Sequence, residues 1–156
     1  MPAPSNDQSI SGGDECYRRI PPSQAPYDSN RGRRWPSSAS MMPSPGDTEV
    51  SVYLGSVMAE NDLQSDDLLE GHERHGLMRF PVQAARDAGF GVLRDPVLDT
   101  SRPLKADPAH ALLTGEPSGK TACTKRGRRL VRDPRVTVIR DPDVPQDHER
   151  VPGSAF

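Results

Sequence analysis

At 156 residues, 33% of them hydrophobic and 4% aromatic, the chain has material for one domain but little for its core. A formal net charge of −2 gives no global field for nucleic acid or an anionic membrane, and no apolar run approaches the roughly 20 residues of a spanning helix. Cys16 and Cys123 suggest no disulfide frame, and the opening MPAPSNDQSISGGDE lacks the apolar stretch of a secretory signal, so a reducing cytoplasm is the expected location.

Residues 1–46 hold eight Pro, nine Ser and four Gly, with Ile10 and Ile20 the aliphatics that stand out. Such composition buries too little apolar area to offset an ordering entropy of roughly 1–2 kcal/mol per residue, so this stretch is expected to be a disordered leader. Within it, YRRIPPSQAPYDSNRGRRW interleaves Tyr17, Tyr27 and Trp35 with five Arg, a mixture that can stack on single-stranded RNA or on peptide.

The pattern changes at Glu49. Val50, Val52 and Leu54 alternate with Ser51, Tyr53 and Gly55, which predicts a half-buried strand. In SDDLLEG, Ser65 is placed to cap a short helix, Asp66 and Asp67 suit the positive end of its dipole, and Gly71 ends it. PVQAARDAG puts Pro81 at a helix start and Gly89 just beyond its end. FGVLRDP and AHALLTG read as strands, the first stopped by Pro96. SGKTACTKRGRRLVRDP reads as a basic helix weakened by Gly127, and RVTVIRDP as a last strand before Pro142. The two stretches Arg86–Pro96 and Arg132–Pro142 share Arg-Asp at both ends, as two helix–strand units on one sheet would. The expected fold is a small α+β domain over residues 47–145, with a small mixed sheet and two or three short helices, followed by a flexible tail at 146–156.

Two motifs approach known chemistry without matching it. Gly115-Glu116-Pro117-Ser118-Gly119-Lys120-Thr121 lies between a strand and a helix and resembles the phosphate loop of the P-loop nucleotidases. That family spaces its glycines with four residues, whereas three separate Gly115 from Gly119, so its first Gly falls on Thr114. A turn with Ser118 as helix cap is the simpler reading, and anion binding at Ser118, Gly119, Lys120 and Thr121 is the chemical one. In GHERHG, His72 and His75 lie three apart where a zinc-protease helix needs four, and glycine flanks both ends, so a loop is expected and no metal site. No catalytic constellation stands out, no cofactor is implied, and an enzyme is the less favoured class.

Charge distribution is more informative. Residues 47–76 carry eight acids and one base, and residues 118–140 carry eight bases and one acid. Such asymmetry predicts a non-enzymatic interaction or accessory protein acting through oppositely charged surfaces, toward a protein partner or a second copy of itself. Nucleic acid is the alternative partner, held by Lys120, Lys125, Arg126, Arg128 and Arg129, and phosphate or nucleotide at the Ser118–Thr121 turn is a second alternative.

Overall fold

The computed structural model describes residues 5–43, 49–98, 101, 103–116 and 119–143; the expected tail at 146–156 lies outside them. Strands β1 (Glu15–Ile20), β4 (Val50–Leu54), β5 (Gly76–Pro81), β6 (Gly91–Arg94), β7 (His110–Thr114) and β8 (Thr137–Arg140) form one sheet in the order β6-β7-β4-β1-β5-β8. β2 (Tyr27–Asp28) and β3 (Arg33–Arg34) make a small separate hairpin. Helices α1 (Gly55–Glu60), α2 (Val82–Asp87) and α3 (Lys120–Arg132) join four short 3-10 turns, at Pro22–Gln24, Ser38–Met41, Ser65–Leu69 and Asp107–Ala109. The α+β class expected from the sequence is what the chain adopts.

Every ladder among the described residues is antiparallel, where a mixed sheet was expected. The chain order explains this. The helical connections α2 and α3 carry the chain across several strands, from β5 to β6 and from β7 to β8, so strands of like direction never become neighbours. The two helix–strand units with matching Arg-Asp ends therefore deliver β6 and β8 to opposite edges of the same sheet.

Strand alternation sorts the side chains onto two faces. Cys16, Ile20, Val50, Val52, Met78, Phe80 and Val138 point into a larger core closed by α2, α3 and the Ser38–Met41 turn. Tyr53 and Leu77 point the other way, into a smaller core under α1 and the turns at Ser65–Leu69 and Asp107–Ala109. Sheet faces covered on both sides explain why a lean composition suffices: few residues are apolar, but most of them are buried.

The leader is the principal correction. β1 is an interior strand of the sheet, with a ladder of six residue pairs against β5. Ile10, Cys16, Ile20, Ala25 and Met41 are all buried. Composition averaged over 46 residues hid five apolar anchors at useful spacing, and backbone pairing supplied the remaining order. Residues 47–145 are thus not a separate domain. Arg86, on α2, clamps the start of this segment: its Nε donates to Asn6 Oδ1 at 3.1 Å, and its Nη2 to the carbonyls of Asp7 and Ile10 at 2.9 and 2.8 Å. Asn6 Oδ1 also accepts from the Val92 backbone N–H on β6 at 3.0 Å. We expect Arg86→Ala to lower stability by about 2–3 kcal/mol, since it removes charge-assisted bonds and strands half-buried carbonyls. A urea melt checks the magnitude, and an unchanged midpoint would mean that the clamp contributes nothing.

Local signals elsewhere act as read. Pro81 (φ −68°) precedes α2, and Gly89 (φ +106°) follows it in the left-handed region that glycine tolerates. The segment at Ser65 is a 3-10 helix rather than an α-helix, and its cap is Gln64, which forms a reciprocal capping box with Asp67. Gly127 weakens α3 in isolation but serves packing: a Cβ there would lie 3.1 Å from Met41 Cβ and from the Ser38 carbonyl. A helix interior glycine is tolerated where a second backbone must come this close.

Candidate functional sites

The basic helix is real, and its cations divide into two kinds. Buried positions along α3 are Cys123, Arg126, Gly127, Leu130 and Val131, the i, i+3, i+4, i+7, i+8 stripe of a core-facing helix. Arg126 belongs to that stripe. It is 6% exposed, its guanidinium lies 5.7 Å from the centre of the Phe90 ring, and its Nη2 is 3.2 Å from Cys123 Sγ. Gly115 packs directly against this guanidinium and has no room for a Cβ. Arg126 therefore takes no place on the cationic surface expected of it.

Lys125, Arg128, Arg129 and Arg132 are exposed and line a shallow groove of about 200 Å³. Arg128 and Arg132 also line an adjoining hollow of about 230 Å³, together with Arg31 and Trp35 from the N-terminal segment. Trp35 is fixed there by a bond from Nε1 to the Val131 carbonyl at 2.8 Å, and the Arg31 guanidinium stacks 3.9 Å above its ring. Arg31 and Trp35, from the segment expected to be disordered, thus extend the basic face of α3.

At the helix start, Gly119 occupies the N-cap position expected of Ser118 and makes no side-chain bond; Ser118 itself lies outside the described residues. Lys120 and Thr121 follow, both exposed. The structure places these residues at a helix N-terminus, as the sequence implied.

Among the described residues, no ion pair joins Lys120, Lys125, Arg128, Arg129 or Arg132 to a carboxylate. The acidic segment lies elsewhere. Glu60 is on α1, and Asp66 and Asp67 are on the Ser65–Leu69 turn, over the core on the opposite side of the sheet from α3. Among the described residues, the ion pair made by these acids is that of Asp67 with Lys105, at 3.8 Å. Arg135, just beyond α3, is occupied structurally. It meets Asp87 at the end of α2 and Asp133 at the end of α3, at 2.9 and 2.8 Å. The Gln83 amide and then Arg135 hold the Asp87 carboxyl below its usual range, and Arg135 does the same for Asp133.

A second site has no counterpart in the sequence reading. β1 and β4 pair at Cys16–Leu54 and Tyr17–Tyr53, and the ladder then stops, although β1 continues beside β5 to Ile20 and β4 beside β7 to Val50. The sheet is split there. A hollow of about 250 Å³ opens at the split, and Arg18, Arg19, Glu49, Ser51, His72 and His75 are among the residues lining it. Arg18 bridges the gap, donating from Nε to the Ser40 carbonyl and from Nη1 to the Ser51 carbonyl, each at 2.6 Å. Burial, with the like charge of Arg19 behind it, pushes its pKa down to about 10, so it stays cationic at neutral pH.

Arg19 leaves the strand on the other side, donates to the Leu68 carbonyl at 3.0 Å and lies 5.2 Å from the centre of the Tyr53 ring. The two histidines meet edge to face with centroids 5.0 Å apart. Both titrate below the ordinary imidazole value, through burial first, then through Arg19 for His72 and through His72 and Arg19 for His75. They are the loop residues the Gly-flanked motif implied, and no group of three or more metal-ligating side chains occurs among the described residues. What spacing could not show is that β1–β5 pairing brings Arg18 and Arg19 to them across more than 50 positions of sequence.

No helix among the described residues is long and apolar enough to cross a membrane. No protein-family model matches the chain, and neither a curated protein nor a solved structure does.

Proposed function

We propose that the chain is a non-enzymatic interaction protein working through oppositely charged surfaces, with the cationic face of α3 as its principal docking element. The observation that carries this reading is the separation of charge. Lys125, Arg128 and Arg132 are exposed and meet no carboxylate among the described residues, while the acids of α1 and the Ser65–Leu69 turn lie over the opposite sheet face. Opposite charges that do not neutralise each other in cis are available to an acidic protein surface or to a second copy in trans. Their contribution is to steering and selection of partner more than to affinity.

A nucleic-acid partner is the alternative reading, favoured by one feature: Trp35 and Arg31 adjoin the same cations, and Tyr27 is 56% exposed nearby in sequence. Aromatic and guanidinium planes beside a basic groove suit unstacked bases. Phosphate capture at Ser118, Gly119, Lys120 and Thr121 is the weaker alternative, resting on a helix N-terminus and a loop one residue short of the phosphate-loop spacing.

The test reverses Lys125, Arg128 and Arg129 to Glu together and compares the variant with the wild type at ~0.05 M and ~1 M salt. Self-association followed by sedimentation should be present at low salt, fade at high salt where the screening length is about 3 Å, and be lost in the variant. A mixed-sequence single-stranded DNA or RNA titration separates the alternative: steep salt-dependent binding by the wild type, abolished in the variant, assigns the face to nucleic acid. If neither measurement responds to the reversal, the face is solvated surface and both readings fall.

A further inference from the structure

The split between β1 and β4 is a built feature, and its chemistry differs from that of α3. Consecutive residues of a strand project to opposite faces of a sheet. Arg18 shares its face with Cys16 and Ile20, and Arg19 shares the other with Tyr17 and Tyr53. Both nevertheless line one hollow. The β1–β4 ladder ends beside them, at Tyr17–Tyr53, which leaves the space between the two strands open. The hollow is lined by two consecutive residues whose side chains leave β1 toward opposite faces.

Its donors are held in place before any ligand arrives. The Arg18 guanidinium is pinned by two carbonyls and that of Arg19 by one carbonyl and the Tyr53 ring. A guanidinium carries five N–H groups, so each retains donors beyond those bonds. Neither Arg18 nor Arg19 forms an ion pair with a carboxylate among the described residues. The lining carboxylate, Glu49, stands against two arginines and two histidines. Two fixed cations in a partly desolvated hollow raise each other's free energy, and an anion between them relieves it.

We propose that this split is a binding site for a small phosphate-bearing molecule, with Arg18 and Arg19 as its charged anchors and His72 and His75 as hydrogen-bonding partners. Phosphate fits better than carboxylate because the two guanidiniums approach from opposite faces of one strand. Donors that are not coplanar match a tetrahedral group with several acceptor oxygens, whereas a carboxylate favours one planar fork. The volume of about 250 Å³ lies just below the usual range for ligand pockets, which points to a phosphate monoester of few carbons rather than a dinucleotide. This reading is independent of the α3 face, and no bond is made or broken in it.

The test is calorimetric titration of the full chain with inorganic phosphate, and with acetate as the carboxylate control, at matched ionic strength and pH 7.5. The expected result is saturable one-to-one binding of phosphate, weakened at least tenfold by Arg19→Gln and by Arg18→Lys, with acetate far weaker. The Lys125, Arg128 and Arg129 reversal serves as a control and should leave phosphate affinity within twofold of the wild type. Arg18→Lys loses bridging bonds and can unfold the chain, so thermal melts accompany each variant, and Arg19→Gln with His75→Gln carries the test if it does. The proposal is overturned by absence of saturable phosphate binding, by acetate binding as tightly as phosphate, or by affinity that follows the α3 reversal and ignores Arg19.

Discussion

Removing residues 1–46 is expected to abolish the fold, not to trim a tail. The truncated chain loses β1, and with it the ladders that join β4 to β5 through the middle of the sheet. It also loses Ile10, Ile20 and Met41, each fully buried. At roughly 1.5–3 kcal/mol per buried aliphatic side chain, those three alone contribute about 5–9 kcal/mol. That is comparable with the whole stability of a typical domain, about 5–15 kcal/mol. The truncated chain should show no cooperative thermal transition, and amide exchange of what remains should be fast throughout. A cooperative melt within a few degrees of the intact protein would mean that the sheet closes without its interior strand.

The same segment shows where sequence reading stops. β4, α2, β6, β7, α3 and β8 were legible because each carries a local signal: alternation at Val50, Val52 and Leu54, proline before α2, or glycine after it. β1 and β5 were not legible. In ECYRRI the strand period is masked by Arg18 and Arg19, whose polar ends find carbonyls that only the folded chain supplies. In GLMRFP, Gly76, Leu77, Met78 and Phe80 are all buried, because both sheet faces are covered there and alternation disappears. α1 was hidden by its position, since Gly55 continues directly from the end of β4 with no cap residue to announce a change.

The candidate sites divide in the same way. The cations of α3 are adjacent in sequence and could be found by counting. The split is assembled from β1, β4 and the loop before β5, and nothing local marks His72 and His75 as neighbours of Arg18 and Arg19. Arg126 is an intermediate case, because its position on the stripe through Cys123, Gly127 and Leu130 was readable in the helical period. A charge at a core position was counted with its surface neighbours instead.

Arg126 also gives the second large expected effect. Arg126→Glu places a carboxylate beside the Phe90 ring and Cys123 Sγ, in a position 6% exposed and closed by Gly115. An unsolvated charge of the wrong sign there should cost on the order of 4 kcal/mol, at the upper end for single substitutions. For a chain of this length that corresponds to a melting temperature lower by roughly 10 °C. Arg128→Glu, two residues further on and exposed, should stay within about 0.5 kcal/mol of the wild type. Arg126→Met separates charge from packing. It keeps an unbranched stem against Phe90 and should recover most of the loss if the carboxylate itself is the cause. The comparison decides which cations report function. Loss of partner binding in Arg126→Glu would measure unfolding, whereas loss in Arg128→Glu at unchanged stability would measure the docking face. A melting temperature for Arg126→Glu equal to that of Arg128→Glu would return Arg126 to the surface and place it again among the partner-facing cations of α3.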